Sequence, residues 1–329
     1  MRILVTGGTG FIGTHLVHRL LQTDHQVTCL VRKTSNTSIL ERLGIGFVFG
    51  DVTDPDSLSG AMNGHDCVMN LANVYSFWEA DRDIYRRVNI DGTKNVMEAA
   101  LRAGVAKVVH VSTCGIYGKP DDVPYTEESE PGQVQFSEYF RTKYIADEVV
   151  WEMYRNQNLP LVMVYPVGVM GPGDPKATGQ YILRLLKRAM PARVLENAMF
   201  TFVHVQDVAE IIYRAAIKED NLGERYIAGK FQHTFGDINR MVSEISGVKL
   251  PLLGLPDFTV MPTAWLLTGI ADVIKRPPVW GMAIDQMRTM KEGVRADGSK
   301  AERELGVAYI PIRQAVQDAI DSFGGRRIH

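Results

Sequence analysis

The sequence predicts an α/β fold in which helices cover both faces of a doubly wound parallel sheet. Residues 1–165 alternate short apolar runs with amphipathic segments. The apolar runs are unbroken, as is typical of strands that are buried on both faces. The first run leads directly into a glycine-rich turn at residues 7–13 and then into an amphipathic stretch. This beginning and the alternation that follows indicate a Rossmann-type sheet.

The alternation predicts six strands with helices between them. The strands are expected at residues 3–5, 27–31, 47–49, 67–71, 108–111 and 161–165. The helices between them are expected at residues 11–21, 55–62, 82–103 and 138–156. A segment rich in Gly and Pro follows residue 165 and ends the alternation. Beyond it we expect helices at 180–190, 205–218, 235–246 and 312–323, with further apolar segments at 258–274 and 279–290.

These elements predict two lobes that share one compact body, because no repeat or low-complexity linker separates them. Residues 1–170 and about 198–229 are expected to form a dinucleotide-binding domain. Residues about 171–197 and 230–329 are expected to form a smaller, mostly helical C-terminal lobe that binds substrate.

Composition narrows the class of protein. The formal net charge is −2 and the cations are dispersed, which argues against a nucleic-acid surface. The cysteines lack a CxxC spacing and indicate reduced thiols in a cytoplasmic protein, and no metal site is predicted. The apolar stretch 258–274 is too short and too interrupted to span a bilayer. With Lys275 and Arg276 it would alternatively touch a membrane surface.

The glycines after the first strand have the spacing of a phosphate-binding turn. Gly7 permits the tight turn, Gly10 lets the backbone approach a pyrophosphate, and Gly13 lets the helix pack close to the strand. The helix N-terminus then presents free N–H groups to the phosphates. We therefore expect the turn to bind a dinucleotide, the alternative being a tight turn with no ligand. The cofactor-binding residues predicted here are Thr6, Gly7, Gly10, Phe11, Ile12 and Gly13.

The end of the second strand favours NADP(H) over NAD(H). NAD-binding units carry an acidic residue there, whereas this chain has Arg32 and Lys33. Cations at this place suit a 2′-phosphate. The alternative is a solvated cation pair with NAD bound. Asp51 and Val52 follow the third strand, where they would read the adenine edge or simply form a turn.

A phenol and an ammonium four residues apart form the predicted catalytic pair. Tyr139 and Lys143 fall on one face of a helix, one turn apart. A free phenol has a pKa near 10, and a neighbouring ammonium favours its ionised form. Two hydroxyls, Ser112 and Thr113, stand at the end of the fifth strand, where one can bond a substrate carbonyl.

Taken together, these motifs resemble the extended short-chain dehydrogenase/reductases, the NAD-dependent epimerase/dehydratase superfamily. The resemblance implies that Tyr139 is the acid–base, that Lys143 binds the nicotinamide ribose, and that Thr113 orients the substrate oxygen, with Ser112 as the second choice. Its other cofactor positions are implied at Leu71, Ala72, Asn89, Tyr165, Pro166 and Val169. The segments that carry the resemblance are TGGTGFIG at 6–13, GDVTD at 50–54, VNIDGTKN at 88–95, YPVGVMGPG at 165–173 and HVQDVA at 204–209.

Departures from the family pattern point to one branch of it. Arg32 replaces the acidic residue typical of the sugar epimerases, Tyr165 replaces an Arg, and residues 200–203 replace an Arg-Asp pair. A pyrophosphate needs cations, so this loss argues against a nucleotide sugar. The chain looks more like the dihydroflavonol-reductase-like branch, which reduces carbonyls with NADPH.

The expected function is reduction of a ketone or aldehyde on a small, fairly apolar substrate, or oxidation of the corresponding alcohol. The alternatives are an NAD-dependent nucleotide-sugar epimerase or dehydratase, and a non-catalytic cofactor-sensing protein. The resemblance also implies a homodimer through helices 82–103 and 138–156. Candidate substrate contacts are Phe77, Trp78, Cys114 and Gly168. The alternatives are that Phe77 and Trp78 anchor a loop and that Cys114 only fills space in the core.

Overall fold

A computed structural model of the chain describes residues 1–119, 123–132 and 134–324. Its ten strands are β1 (Arg2–Thr6), β2 (Gln26–Val31), β3 (Gly46–Phe49), β4 (Cys67–Asn70), β5 (Lys107–Val111), β6 (Leu161–Pro166), β7 (Gly168–Met170), β8 (Met199–His204), β9 (Arg225–Ala228) and β10 (Phe231–Thr234). Seven of them form one parallel sheet in the order β3-β2-β1-β4-β5-β6-β9. The predicted doubly wound sheet is therefore confirmed, and all six predicted strands belong to it.

Twelve α-helical segments accompany the strands among the described residues. They are α1 (Phe11–Leu20), α2 (Ser38–Arg42), α3 (Asp83–Tyr85), α4 (Thr93–Ala103), α5 (Glu138–Gln157), α6 (Ala177–Leu186), α7 (Val205–Ile217), α8 (Phe235–Ser246), α9 (Val260–Ile274), α10 (Ile284–Glu292), α11 (Ser299–Leu305) and α12 (Ile312–Ser322). No helix in the described ranges has the length and apolar character needed to cross a bilayer.

The seven-stranded sheet is buried on both faces because alternate side chains of each strand point to opposite sides. In β1, Ile3 and Val5 pack with α1 and α7 in one core. Leu4, between them in sequence, packs with α4 and α5 in a second core on the other face. This two-sided burial explains why the strands read as unbroken apolar runs.

A smaller sheet and a third core lie in the C-terminal part of the chain. The order of this sheet is β10-β8-β7, with β8 parallel to β7 and antiparallel to β10. Side chains of α6, α8, α9, α10 and α12 pack together beside it. Strand β8 therefore belongs to the small sheet, whereas β9, the next strand in sequence, pairs with β6 in the large sheet. The two-lobe division and the homodimer stay predictions.

Two helix predictions were wrong in detail. Residues 55–62 were expected to form a helix, but only the 3-10 turn Pro55–Leu58 forms, because Gly60 and Gly64 adopt positive φ and end it. Residues 82–103 are not one regular helix: the π-helical segment Arg86–Gly92 separates α3 from α4. π-Helical turns often lie at functional sites, and this one carries Asn89.

The first testable prediction concerns the core between α1 and the sheet. Leu16 is fully buried there, so Leu16→Ala removes apolar contacts and leaves a cavity. We expect the free energy of unfolding to fall by about 2–5 kcal/mol. Leu252→Ala is the matched control, because Leu252 is 98% exposed. Urea denaturation measures both, and equal losses in the two variants would contradict this packing.

Candidate active site

The carboxyl ends of the central strands converge on a cavity of about 750 Å³. Its wall includes Thr6 at the end of β1, Leu71 after β4, Ser112 after β5 and Pro166 at the end of β6. Ligands of open parallel sheets bind at this edge. The cavity therefore lies where the sequence places the cofactor and the chemistry.

The glycine turn is shaped for close approach of the backbone. Gly7 has φ +70°, and a Cβ on Gly13 would lie 2.1 Å from the carbonyl oxygen of Gly7. Only glycine fits at Gly13, so α1 begins directly against the turn. Gly10 caps α1 without a side chain, and no acidic residue stands in the first helical turn. The free N–H groups of α1 therefore suit the phosphates of a dinucleotide.

The end of β2 supplies an available cation. Arg32 lines the cavity and makes no ion pair with any described residue. The backbone N–H of Arg32 donates to Ser35 Oγ at 3.2 Å, so the Ser35 hydroxyl lies beside Arg32. Lys33 is exposed and does not line the cavity. Of the two predicted cations, the structure places only Arg32 at the site.

Asp51 stabilises a turn and also lines the cavity. Its Oδ1 accepts from the backbone N–H of Thr53 at 2.9 Å and from Thr53 Oγ1 at 2.8 Å. Asp51 and Val52 both line the cavity. The second carboxylate oxygen of Asp51 forms no hydrogen bond with the described residues, so it is available to an adenine amino group.

Tyr139 and Thr113 lie in the cavity wall, and Lys143 is buried behind it. Thr113 acts on the phenol by lowering the pKa of Tyr139. Lys143 lies one turn further along α5, where it is fully buried and its Nζ donates to the carbonyl oxygen of Val111 at 3.1 Å. The helical spacing read from the sequence thus brings the three residues together.

Ser112 also lines the cavity, but its hydroxyl is bonded to Asp147 on α5. Its hydroxyl donates to Asp147 Oδ2 at 2.8 Å. The neighbouring Thr113 is the N-cap of a short 3-10 turn, and its Oγ1 accepts from the N–H of Gly115 at 3.2 Å. This arrangement leaves Thr113, rather than Ser112, as the hydroxyl beside the phenol.

A buried polar chain links the glycine turn to α5. Thr6 Oγ1 donates to Asn70 Oδ1 at 2.5 Å, and Asn70 Nδ2 lies 3.0 Å from His110 Nδ1. The amide donates here, so the ring proton of His110 is assigned to Nε2. That nitrogen faces Asp147 Oδ1 at 3.9 Å, and neither atom has another partner in the described part of the chain.

Burial changes the protonation of this group. Desolvation lowers the pKa of Lys143 to about 8, against the opposing effect of the Asp147 carboxylate. Desolvation also raises the pKa of Asp147 to about 7, with Lys143 and Ser112 opposing it. The pKa of His110 is lowered by burial and by Lys143, so this ring is neutral. Where it is ionised, the Asp147 carboxylate favours the charged form of Lys143 and so opposes the lowering of its pKa.

The phenol of Tyr139 is protonated. Burial raises its pKa well above the ordinary value, and Tyr75 and Asp147 add to this, while the hydrogen bond with Thr113 opposes it. Tyr75 and Phe77 pack edge-on against its ring at 5.1 and 6.5 Å between centroids. Tyr139 therefore holds a proton that it can donate to an oxygen in the cavity.

The outer part of the cavity is mainly apolar. Phe200, Phe202, Phe235, Ile238, Met290 and Val294 form this wall. Two polar residues of α10, Gln286 and Thr289, interrupt it. Thr289 is 3% exposed, and its Oγ1 has no hydrogen-bond partner among the described residues. This hydroxyl is available to a polar group of a ligand, and sequence reasoning missed it because an isolated Thr on a helix gives no signal.

Several predicted site residues lie outside the cavity wall. Asn89 instead holds the loop at Val74, whose N–H donates to Asn89 Oδ1 at 2.8 Å. The Tyr165 side chain is buried against Trp151, and Cys114 Sγ donates to the carbonyl oxygen of Tyr165 at 3.1 Å. Trp78 Nε1 donates to Asp272 at 2.9 Å. The residues brought to the wall include Phe77, Gly168, Val169, Leu71 and Ala72.

Comparison with known proteins shows the family to which the chain is similar. A sequence profile of the NAD dependent epimerase/dehydratase family matches residues 3–229. A relative from Synechocystis sp., provisionally named dihydroflavonol 4-reductase, is 33% identical over 97% of this chain and 93% of its own length. Sterol demethylase protein B from Methylococcus capsulatus is 31% identical over 99% of both chains.

Solved structures share the fold over almost the whole chain. The crystal structure of gox2253 is 35% identical, covers 99% of both chains and superposes with a TM-score of 0.84. The UDP-glucose 4-epimerase of Thermus thermophilus, solved with NAD, covers 99% of this chain and 100% of its own at a TM-score of 0.78. At 24% identity, the second comparison shows the fold alone.

The second testable prediction follows from the buried pair of Lys143 and Asp147. The ammonium of Lys143 is charged below its pKa of about 8 and is lost as the pH rises through that value. Asp147→Asn removes the anion that favours the charged form, so the pKa of Lys143 falls further. We expect NADPH affinity, measured by fluorescence titration, to decline at a lower pH in this variant than in the wild type.

The matched control for this prediction is Glu148→Gln, which removes a carboxylate from an exposed position next along α5. Far-UV circular dichroism establishes that both variants are folded. Identical pH profiles for wild type and Asp147→Asn would show that Asp147 does not set the charge of Lys143.

Proposed function

The chain belongs to the NAD dependent epimerase/dehydratase family, and on that premise we propose that it is an NADP(H)-dependent reductase of ketones or aldehydes. Its family makes it an NAD(P)-dependent oxidoreductase of the extended short-chain dehydrogenase/reductase type. The observation that carries the proposal is that the protonated phenol of Tyr139 and the Thr113 side chain line the same cavity, whose outer wall is apolar.

The residues at the inner end of the cavity have complementary roles in such a reduction. The bound cofactor supplies a hydride to the carbonyl carbon. Tyr139 donates its proton to the carbonyl oxygen, so the product is the alcohol and the phenol becomes a phenolate. Thr113 donates a hydrogen bond to the same oxygen, where negative charge develops in the transition state. Tyr139 is the general acid in this direction and the general base in the reverse one.

Lys143 and Asp147 support the phenol from behind the cavity. The ammonium of Lys143 favours the phenolate left after proton donation, because opposite charges stabilise the ionised form. The resemblance also implies that Lys143 binds the nicotinamide ribose. Asp147 is a positioning residue, since it acts through Lys143 and Ser112 and does not line the cavity.

The preference for NADP(H) rests on Arg32. Its guanidinium has no carboxylate partner in the described part of the chain, and Ser35 stands beside it in the cavity wall. A guanidinium binds a phosphate through paired, charge-assisted hydrogen bonds. The 2′-phosphate of NADP(H) would supply the missing partner, whereas the hydroxyl of NAD(H) would not.

The outer wall supports a small, fairly apolar substrate. Phe200 and Phe202 lie on β8 and line the cavity. The family resemblance implies that members that bind nucleotide sugars often carry an Arg-Asp pair at this place. Arg32 and Lys176 are the cations of the described cavity wall, and Arg32 lies at the cofactor end. A nucleotide sugar would bring a pyrophosphate to a wall with one cation, so this alternative fits less well. The Thr289 hydroxyl would bind a single polar group of the substrate.

The third testable prediction concerns the general acid. Tyr139→Phe removes the proton donor but keeps the ring that packs on Tyr75 and Phe77. We expect the rate of NADPH-dependent carbonyl reduction to fall by about 10²- to 10⁴-fold while NADPH affinity changes little. A panel of aliphatic and aromatic ketones and aldehydes, followed by NADPH absorbance, measures the rate.

Tyr144→Phe is the control, because Tyr144 lies on the same helix and outside the cavity wall. Retained activity in Tyr139→Phe would overturn the assignment of the acid. A wild-type protein that binds NADPH but reduces no carbonyl of the panel would count against a reductase of small carbonyls.

The fourth testable prediction concerns cofactor choice. Arg32→Ala should weaken NADPH binding by about 10- to 100-fold, since hydrogen bonds to charged groups contribute about 1.5–3 kcal/mol. NADH binding should stay within about twofold of the wild type, because NADH has no 2′-phosphate. Arg42→Ala, an exposed cation on α2, is the matched control. Equal losses for both cofactors would show that Arg32 does not read the phosphate.

A further inference from the structure

A large apolar surface surrounds α9 on the outside of the molecule. Eleven of the twenty large hydrophobic side chains that are exposed in the described part of the chain fall between residues 252 and 280. We call this feature the 252–280 surface. Its members are Leu252, Leu253, Leu255, Phe258, Trp265, Leu266, Ile270, Val273, Ile274, Val279 and Trp280. Apolar patches of this extent on a folded chain usually mark an interaction site.

The orientation of α9 is opposite to that of an ordinary helix of a globular protein. Its buried stripe consists of small or medium residues, Val260, Ala264, Thr268 and Ala271. The large residues point outward instead, with Trp265 at 70% and Val273 at 82% exposure. A helix that packs only on its own chain buries the large apolar residues and exposes the polar ones. The outward face of α9 is therefore built to meet something apolar.

Unpaired cations border this surface at both ends of α9. Lys275 and Arg276 follow directly after the helix, and neither forms an ion pair with a described residue. Lys291, which is also unpaired within the described ranges, shares a shallow pocket with Met261 near the start of the helix. The acid on α9, Asp272, is already bound by Arg82 at 2.9 Å.

We propose that the 252–280 surface docks the protein onto an anionic lipid surface. Exposed Trp, Phe and Leu side chains flanked by Lys and Arg are the features of helices that lie in the interface of a bilayer. With 15 residues, α9 is too short to cross a membrane and would lie along its surface. The cations would face the negative charge of the lipid headgroups.

A second copy of the chain is a poorer occupant on charge grounds. A two-fold self-interface places the same patch on both subunits. The three unpaired cations of each copy would then be gathered at one interface, six in all. The exposed acid of the segment, Asp257, is a single carboxylate per copy. An anionic lipid surface supplies the missing charge without this repulsion.

The surface also lies one helix away from the cavity. Ile284 N–H at the start of α10 donates to Thr268 Oγ1 on α9 at 2.9 Å, and Gln286, Thr289 and Met290 of α10 line the cavity wall. A docked protein would hold its apolar cavity near the lipid. This consequence rests on the proposed function, whereas docking itself does not.

Vesicle co-sedimentation tests docking without any measurement of activity. The probes are vesicles of phosphatidylcholine alone and vesicles in which about a quarter of the lipid is phosphatidylglycerol. We expect the wild-type protein to sediment with the anionic vesicles, less so at high salt, with a blue shift of tryptophan fluorescence. Phe258→Ser/Trp265→Ser/Val273→Ser should weaken binding by about tenfold or more, and Lys275→Glu/Arg276→Glu should also weaken it.

Ile217→Ser/Leu222→Ser is the matched control, because it removes two exposed apolar side chains elsewhere on the molecule. Since all of these side chains are exposed, unchanged circular dichroism and NADPH binding should show that the variants remain folded. Wild-type protein that stays in the supernatant with anionic vesicles would overturn the proposal. So would a triple serine variant that binds as well as the wild type. A triple serine variant that turns a dimer into a monomer, with no vesicle binding by either protein, would assign the surface to self-association instead.

Discussion

The active site depends on two ionisable groups that are buried behind it, the Lys143 ammonium and the Asp147 carboxyl group. Removing an ammonium and a carboxylate from water is unfavourable by several kcal/mol per ion, so Lys143 and Asp147 persist only with close partners. The partners come from β5: the Val111 carbonyl accepts from Lys143, and the Ser112 hydroxyl donates to Asp147. Because these bonds join α5 to the end of β5, they also fix Tyr139 beside Thr113. The site geometry and the charge of Lys143 are thus maintained by the same contacts.

At the cofactor end of the site, the glycine turn supplies the shape and the buried polar chain supplies the polar contacts behind it. Gly13 brings the N-terminus of α1 against the turn, which leaves its N–H groups for phosphate. Behind the turn, the Thr6 hydroxyl donates to Asn70, and the Asn70 amide donates to His110. The other ring nitrogen of His110 faces Asp147. Buried polar side chains therefore run between the two halves of the proposed site through the interior of the sheet. Asn70 acts here as the donor that orients His110.

The sequence predicted the sheet, the helices beside it and the pair Tyr139 and Lys143 because their signals are local. Apolar runs, helical spacing and the glycine turn can be read from neighbouring residues. The π-helical segment Arg86–Gly92 and the small sheet of β7, β8 and β10 depend on packing between distant segments. The same is true of side-chain direction: Tyr165 and Cys114 point into the core, and Thr289 into the cavity. Asp147 could have been found, since it continues the four-residue spacing of Tyr139 and Lys143 along α5.

The most direct test of the proposed function is to identify the nucleotide that accompanies the purified, untreated protein. The nucleotide would be extracted and identified, and the stripped protein titrated with NADPH and NADH by fluorescence. A dissociable-cofactor reductase predicts an empty site that binds NADPH clearly more tightly than NADH. Tightly held NAD with no preference for the 2′-phosphate would contradict the account and favour an epimerase that regenerates its cofactor in each turnover.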